Sequence, residues 1–124
     1  MFVSAVANAP AGTAPLVMVA AALHGVAEVF EERRPWSLKR QGVINANPAL
    51  VEREQAKLAR LTDAVAAALR GRGVGEPAAS LAAGAGISVF HVTFQAWISP
   101  DNSHSFSQIA AESLAVLKVV AAGS

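Results

Sequence analysis

The sequence predicts an all-α fold, a helical bundle of about five helices that forms a single domain. Hydrophobic residues make up 53% of the 124-residue chain, and many of them are alanine, which costs least in a helix. Apolar residues recur at helical spacing in several segments, while no segment carries a strand pattern of convincing length. Helix-terminating and helix-capping residues separate these segments, so each can be assigned in order.

The first helices are delimited by prolines and capping residues. Residues 1–13 are interpreted as a partial helix and linker. Thr13, the last of them, is predicted to be the N-cap of the helix that follows. The helix that follows is expected to run to about Arg34, where Pro35 would stop it. A short segment leads to a long helix that begins at Asn47-Pro48 and ends at the glycine-rich stretch "RGRGVGEP".

The helix predicted from about Pro77 to Ile98 carries two different apolar faces. The small residues on one face are Ala82, Ala85, Val89, Val92 and Ala96, and the bulky residues on the other are Ile87, Phe90, Phe94 and Trp97. A helix that is apolar on both sides is buried on both sides. A capping box of Ser105 and Gln108 then predicts a last helix from Phe106 to about Ala121.

Composition and charge exclude several functional classes. The formal net charge is +1, so no overall field attracts nucleic acid or anionic lipid. Cysteine is absent, which excludes disulfides, thiolate metal sites and cysteine nucleophiles and agrees with a cytoplasmic location. Charged residues are only 15% of the chain, which indicates that an apolar surface is hidden in an oligomer.

The most apolar stretch, "PLVMVAAALHGVAEVF", does not predict a membrane span. His24 and Glu28 interrupt it, and it is shorter than the ~20 apolar residues that a span requires. No membrane partner is therefore expected.

The order of these segments resembles the C-terminal, effector-binding and dimerisation domain of TetR-family transcriptional regulators, from about Ala14 to Val120. The residues that carry the resemblance are Arg40, Val43, Ile44, Pro48, Leu50, Arg53, Leu69, Arg70 and Gly73. The resemblance implies a homodimer formed through the last two helices, a small hydrophobic effector and no enzymatic activity. It also implies that Arg40 ties helix ends together instead of contacting the effector.

TetR-type regulators begin with a helix-turn-helix domain that reads DNA, and nothing in this sequence resembles one. We expect the chain to be either a fragment of a regulator or a free-standing sensor domain. DNA binding is expected only through a helix-turn-helix domain not present in this chain.

The resemblance places the effector between the first, third and fourth long helices. Candidate ligand-binding residues are Phe90, His91, Phe94 and Trp97, with Met18, Trp36, Leu38 and Leu61 as weaker candidates to line the same space. The aromatic residues could instead fill a core, and His91 could serve the interface or the core instead of a ligand's polar group. Candidate dimer-interface residues are Ala82, Ala85, Val89, Val92, Ala96, Leu114 and Leu117.

The sequence contains little that indicates metal binding or catalysis. His24, Glu28 and Glu31 share one helical face and could hold a metal, but no second ligand cluster accompanies them. We therefore expect no metal or cofactor. No serine lies in a nucleophile elbow and no buried carboxylate pair is indicated.

The alternative to a sensor domain is a structural or protein-interaction bundle with no small-molecule site.

Overall fold

The computed structural model describes residues 2–123, and this part of the chain is helical without strands. Six helices follow in order: α1 Phe2–Ala7, α2 Pro15–Glu32, α3 Arg34–Asn45, α4 Pro48–Gly71, α5 Ala78–Trp97 and α6 Phe106–Ala121. The all-α prediction is confirmed, with six helices in place of about five. Among residues 2–123, no helix is long and apolar enough to cross a membrane.

The boundary between α2 and α3 differs from the prediction. Pro35 does not stop the first long helix; α2 ends at Glu32, and Pro35 lies in the first turn of α3. A proline is tolerated there because first-turn N–H groups have no partner within the helix. The predicted N-cap at Thr13 is also wrong. Ala14 occupies the N-cap of α2, and the Thr13 hydroxyl donates instead to the Pro10 carbonyl at 2.6 Å.

The other predicted helix starts are confirmed by their hydrogen bonds. The Asn47 side chain accepts a hydrogen bond from the Ala49 N–H at the start of α4. Ser105 and Gln108 form the reciprocal capping box of α6. Both patterns satisfy first-turn N–H groups that would otherwise lack partners.

The larger part of the core lies where α1, α2, α4 and α5 meet. Its fully buried members include Val6 of α1, Val19 of α2, Leu69 of α4 and Ala83 of α5. Small side chains allow α2 and α5 to approach closely, and Gly86 faces Val19 across this contact. The N-terminal helix is therefore part of the core and not a detached tail.

A second, aromatic part of the core joins α2 to the α5–α6 hairpin. The Phe30 ring packs at 5.4 Å from the Phe106 ring and at 5.9 Å from Trp97, centroid to centroid. Trp97 and Phe106 are fully buried and pack edge to face. Because aromatic pairs of this kind add to the energy of burial, they hold the hairpin firmly on α2.

Two charged residues fix the ends of the hairpin at the α2–α3 junction. The Glu31 carboxylate accepts a hydrogen bond from the Phe106 N–H at the start of α6. The Arg34 guanidinium donates to the carbonyls of Trp97 and Ser99 at the end of α5, at 3.4 and 3.3 Å. Each charge complements the dipole of the helix end that it contacts.

Thr93 allows a test of how much a buried hydroxyl without a hydrogen-bond partner costs the fold. It is 0% exposed, and its hydroxyl has no hydrogen-bond partner among the described residues. We expect Thr93→Val to raise the free energy of unfolding by about 1 kcal/mol in urea titrations, because an unpaired buried hydroxyl is replaced by a methyl group of the same shape. Thr62→Val is the control without that gain, since its hydroxyl already donates to the Leu58 carbonyl. Destabilisation by Thr93→Val would show that the hydroxyl has a hydrogen-bond partner in solution.

Candidate ligand cavity and dimer face

A cavity of about 170 Å³ lies between α2, α3, α4 and α5 and opens partly to solvent. It is lined by Phe30, Trp36, Ser37, Arg40, Gln41, Glu54, Leu58, Phe90, His91, Phe94 and Gln95. Both apolar and polar side chains therefore converge on one space. Ligand sites in proteins have this composition, with a mostly apolar lining and a few polar groups that fix orientation.

The apolar walls come mainly from α2, α4 and α5. The Phe30 ring lies 5.8 Å from both the Phe90 and Phe94 rings, centroid to centroid. Leu58 of α4 completes this side, and the half-exposed Trp36 indole of α3 stands at the cavity as well. The walls thus offer aromatic surfaces to a ligand.

Three of the polar lining residues belong to α3, while Glu54 lies on α4 and His91 and Gln95 lie on α5. Arg40 and Gln41 follow Ser37 by three and four residues, so both share a face of α3 with it. Ser37 is buried, and its hydroxyl has no hydrogen-bond partner among the described residues. A buried polar group of this kind is costly unless something pairs with it.

An ion pair joins α3 to α4 at the cavity. The Arg40 Nη2 donates to the Glu54 Oε1 at 2.6 Å, and the Lys57 Nζ lies 3.4 Å from the same oxygen. Partial burial acts to raise the pKa of the Glu54 carboxyl, but the hydrogen bond and charge of Arg40, with those of Lys57, outweigh it and hold the pKa below its ordinary value. Arg40 therefore connects two helices, as expected, and also lines the cavity.

The structure brings only some of the predicted ligand residues to this cavity. Trp36, Phe90, His91 and Phe94 line it. Met18, Leu61 and Trp97 do not. Met18 and Leu61 pack in or against the larger core, and Trp97 is fully buried.

The cavity does not lie between α2, α5 and α6, where the effector was expected. Trp97 and Phe106 pack in the aromatic part of the core between those three helices. Leu38, one of the weaker candidates, packs against that aromatic group. The cavity lies instead where α3 and α4 meet α2 and α5. The lining residues absent from the prediction are Phe30, Ser37, Arg40, Gln41, Glu54, Leu58 and Gln95.

A second feature is an apolar groove of about 450 Å³ between α5 and α6. Of the predicted dimer-interface residues, those on its walls are Ala85, Val89, Val92, Ala96 and Leu117. Ala82 and Leu114 are half-buried against the larger core. Val92 and Val116 are 57% and 61% exposed on the walls of the groove, where they and its other apolar residues form one contiguous apolar surface.

The possible metal ligands are not assembled into a site. The Glu31 carboxylate binds the start of α6, while His24 and Glu28 are exposed on α2. Within residues 2–123, no group of three or more histidine, aspartate or glutamate side chains is placed to hold a metal ion.

An all-helical bundle is the fold that the resemblance to TetR C-terminal domains implied. A family model described as the MftR C-terminal domain matches residues 13–122, and the chain belongs to this family. The predicted resemblance to the C-terminal domain of a TetR regulator is thereby confirmed, and domains of this family are parts of regulatory proteins. No curated protein matches the chain.

Proposed function

We propose that this chain is the ligand-sensing and dimerisation domain of a TetR-like transcriptional regulator and that it binds a small apolar or aromatic effector without catalysing a reaction. The cavity between α2, α3, α4 and α5 carries this proposal. A purely structural or protein-interaction bundle would be expected to fill its interior, because protein cores are packed with few voids. Here a partly open space is lined by four aromatic side chains, Phe30, Trp36, Phe90 and Phe94.

The cavity volume sets the size of the effector part that it can hold. An apolar cavity of about 150 Å³ binds benzene. The cavity in this chain, at about 170 Å³, therefore accepts one aromatic ring with a small substituent. The partial opening to solvent leaves room for a polar substituent at the mouth.

The dimer is proposed to form when a second copy of the chain covers the α5–α6 groove. A two-fold contact places the same patch of both protomers together, so α5 and α6 of each would form a four-helix interface. Burial of Val92 and Val116 in that contact would remove apolar surface from water. Their exposure in the single chain supports this arrangement.

Helix α5 lines both the cavity and the α5–α6 groove, so a movement of this helix would couple ligand binding to the dimer interface. Phe90 and Phe94 line the cavity, while Val89 and Val92 line the groove. A ligand that favours one position of α5 would therefore favour one geometry of the dimer, in proportion to its different affinities for the two geometries. In an intact regulator, this change would alter the spacing of the two DNA-reading domains.

Filling the cavity tests the sensing role. We expect benzyl alcohol to shift the Trp36 indole N–H signal in two-dimensional ¹H–¹⁵N NMR spectra, assigned with Trp36→Phe. Leu58→Trp should weaken this binding at least about tenfold, because the larger side chain occupies the ring's space. Ala59→Trp is the matched control, since Ala59 is exposed on the same helix and does not line the cavity. If benzyl alcohol left the spectrum of the unsubstituted chain unchanged, the structural bundle would be the better account.

A further inference from the structure

We propose that the cavity selects a monoanionic acid with a single aromatic ring, whose carboxylate is held by Arg40 and Ser37. This inference rests on the proposed function and narrows its effector from any small apolar molecule to one chemical class. Three observations support it: the excess positive charge of the Arg40–Glu54–Lys57 group, the Ser37 hydroxyl that has no hydrogen-bond partner among the described residues, and the volume of the cavity.

The charged groups at the polar wall carry one excess positive charge. Arg40 and Glu54 line the cavity and balance each other, and Lys57, beside the cavity, binds the same Glu54 carboxylate and adds a further positive charge. Among residues 2–123, no other carboxylate lines the cavity. The adjoining surface groove between α3 and α4 adds Lys39 and Arg53 and again contains only Glu54 as an acid. One carboxylate from a ligand would neutralise the excess charge of the Arg40–Glu54–Lys57 group, whereas a cation would increase it.

The hydrogen-bonding groups of α3 match the acceptors of a carboxylate. The Arg40 guanidinium uses one nitrogen for Glu54, and it has further N–H donors. Ser37 lies one turn earlier on the same face, and its hydroxyl has no hydrogen-bond partner within residues 2–123. A carboxylate can accept from both groups at once, and a hydrogen bond to a charged group is stronger than one to a neutral group. A change of the serine side-chain rotamer would suffice to turn the hydroxyl toward the ligand.

The opposite walls accommodate the rest of such a molecule. Phe30, Phe90 and Phe94 present ring faces and edges, and Leu58 adds an aliphatic surface. Aromatic pairs favour offset or edge-to-face contacts at such spacings. The volume of about 170 Å³ admits one aromatic ring. The ring would lie against α2, α4 and α5 while the carboxylate faces α3.

Three probe ligands of similar shape and different charge show whether the charge of the ligand determines its affinity for the cavity. Benzoate, benzamide and benzamidine share one ring and one planar head group but carry charges of minus one, zero and plus one. Each would be titrated into the full chain while the Trp36 indole signal is followed by NMR. We expect benzoate to bind about tenfold more tightly than benzamide and benzamidine to bind most weakly, because only the anion brings a charge opposite to that of Arg40 and can form a charged pair with the guanidinium.

Variants assign the effect to the polar wall. Arg40→Gln should reduce benzoate affinity to the level of benzamide while changing the Kd of benzamide no more than about twofold. Arg53→Gln is the control, because Arg53 lines only the outer groove. Ser37→Ala leaves the Arg40–Glu54 ion pair intact and should weaken benzoate binding severalfold. This variant still tests the proposal if Arg40→Gln perturbs the fold.

The outcomes distinguish this inference from the proposed function on which it rests. Benzamide or benzamidine binding as tightly as benzoate would overturn the selection for a monoanion and leave a neutral-ligand sensor standing. Equal loss of benzoate and benzamide in Arg40→Gln, with Ser37→Ala unchanged, would also overturn it. Failure of all three probes and of benzyl alcohol to bind would instead overturn the sensing function itself.

Discussion

Val92→Glu is expected to convert the proposed dimer into a monomer without unfolding the chain. Val92 is 57% exposed in the groove between α5 and α6, so a longer, charged side chain can be tolerated in the single protomer. In the proposed dimer, the groove of one protomer meets the same groove of the other, so two carboxylates would be buried near the two-fold axis. Burying an unpaired charge costs several kcal/mol, enough to dissociate a typical interface.

The measurement is size-exclusion chromatography with light scattering, together with circular dichroism to show that the helices persist. Val17→Glu is the matched control, because Val17 is also 58% exposed but lies on α2, outside the groove. Val89 is a poorer probe, since it is 4% exposed and belongs to the core of its own protomer. A Val92→Glu chain that stayed dimeric would place the interface on another surface.

Features set by local sequence were predicted accurately. The start of α4 depends on Asn47, and the start of α6 depends on Ser105 and Gln108, all within one helical turn of the groups that they cap. The aromatic side of α5 follows from helical periodicity and is buried as expected at Ile87 and Trp97. Such signals depend on neighbouring residues only, so one sequence suffices to interpret them.

Features set by packing between distant segments were predicted less well. Pro35 permits either a helix end or a helix start, and the choice follows from how α3 packs on α4, through contacts such as Arg40 with Glu54. The same packing decides that Phe90 lines a cavity while Trp97 fills the core, although both lie on the aromatic side of α5. Periodicity could not distinguish them, because it indicates which face is buried but not what covers it.

Gly86→Ala is expected to lower the free energy of unfolding by about 3 kcal/mol, although alanine is the better helix former. A Cβ atom at position 86 would lie 1.9 Å from Cγ1 and 3.1 Å from Cβ of Val19. Val19 is 0% exposed and packed in the core, so its side chain cannot move aside without displacing its neighbours. Glycine is therefore required at this point because α2 and α5 approach closely, and not for its backbone freedom.

Gly84→Ala should have the opposite effect on the same helix. A Cβ atom there meets nothing within 4 Å, so the substitution should stabilise the chain by about 1 kcal/mol through helix propensity alone. Both variants would be unfolded in urea at one protein concentration, because the proposed dimerisation would contribute to the measured stability. The double variant Val19→Ala/Gly86→Ala should be more stable than the sum of its single changes predicts, since removing the valine methyl groups relieves the overlap. If Gly86→Ala were as stable as Gly84→Ala, α2 and α5 would have to lie farther apart than the structure places them, and the position of α5 between the cavity and the groove would have to be revised.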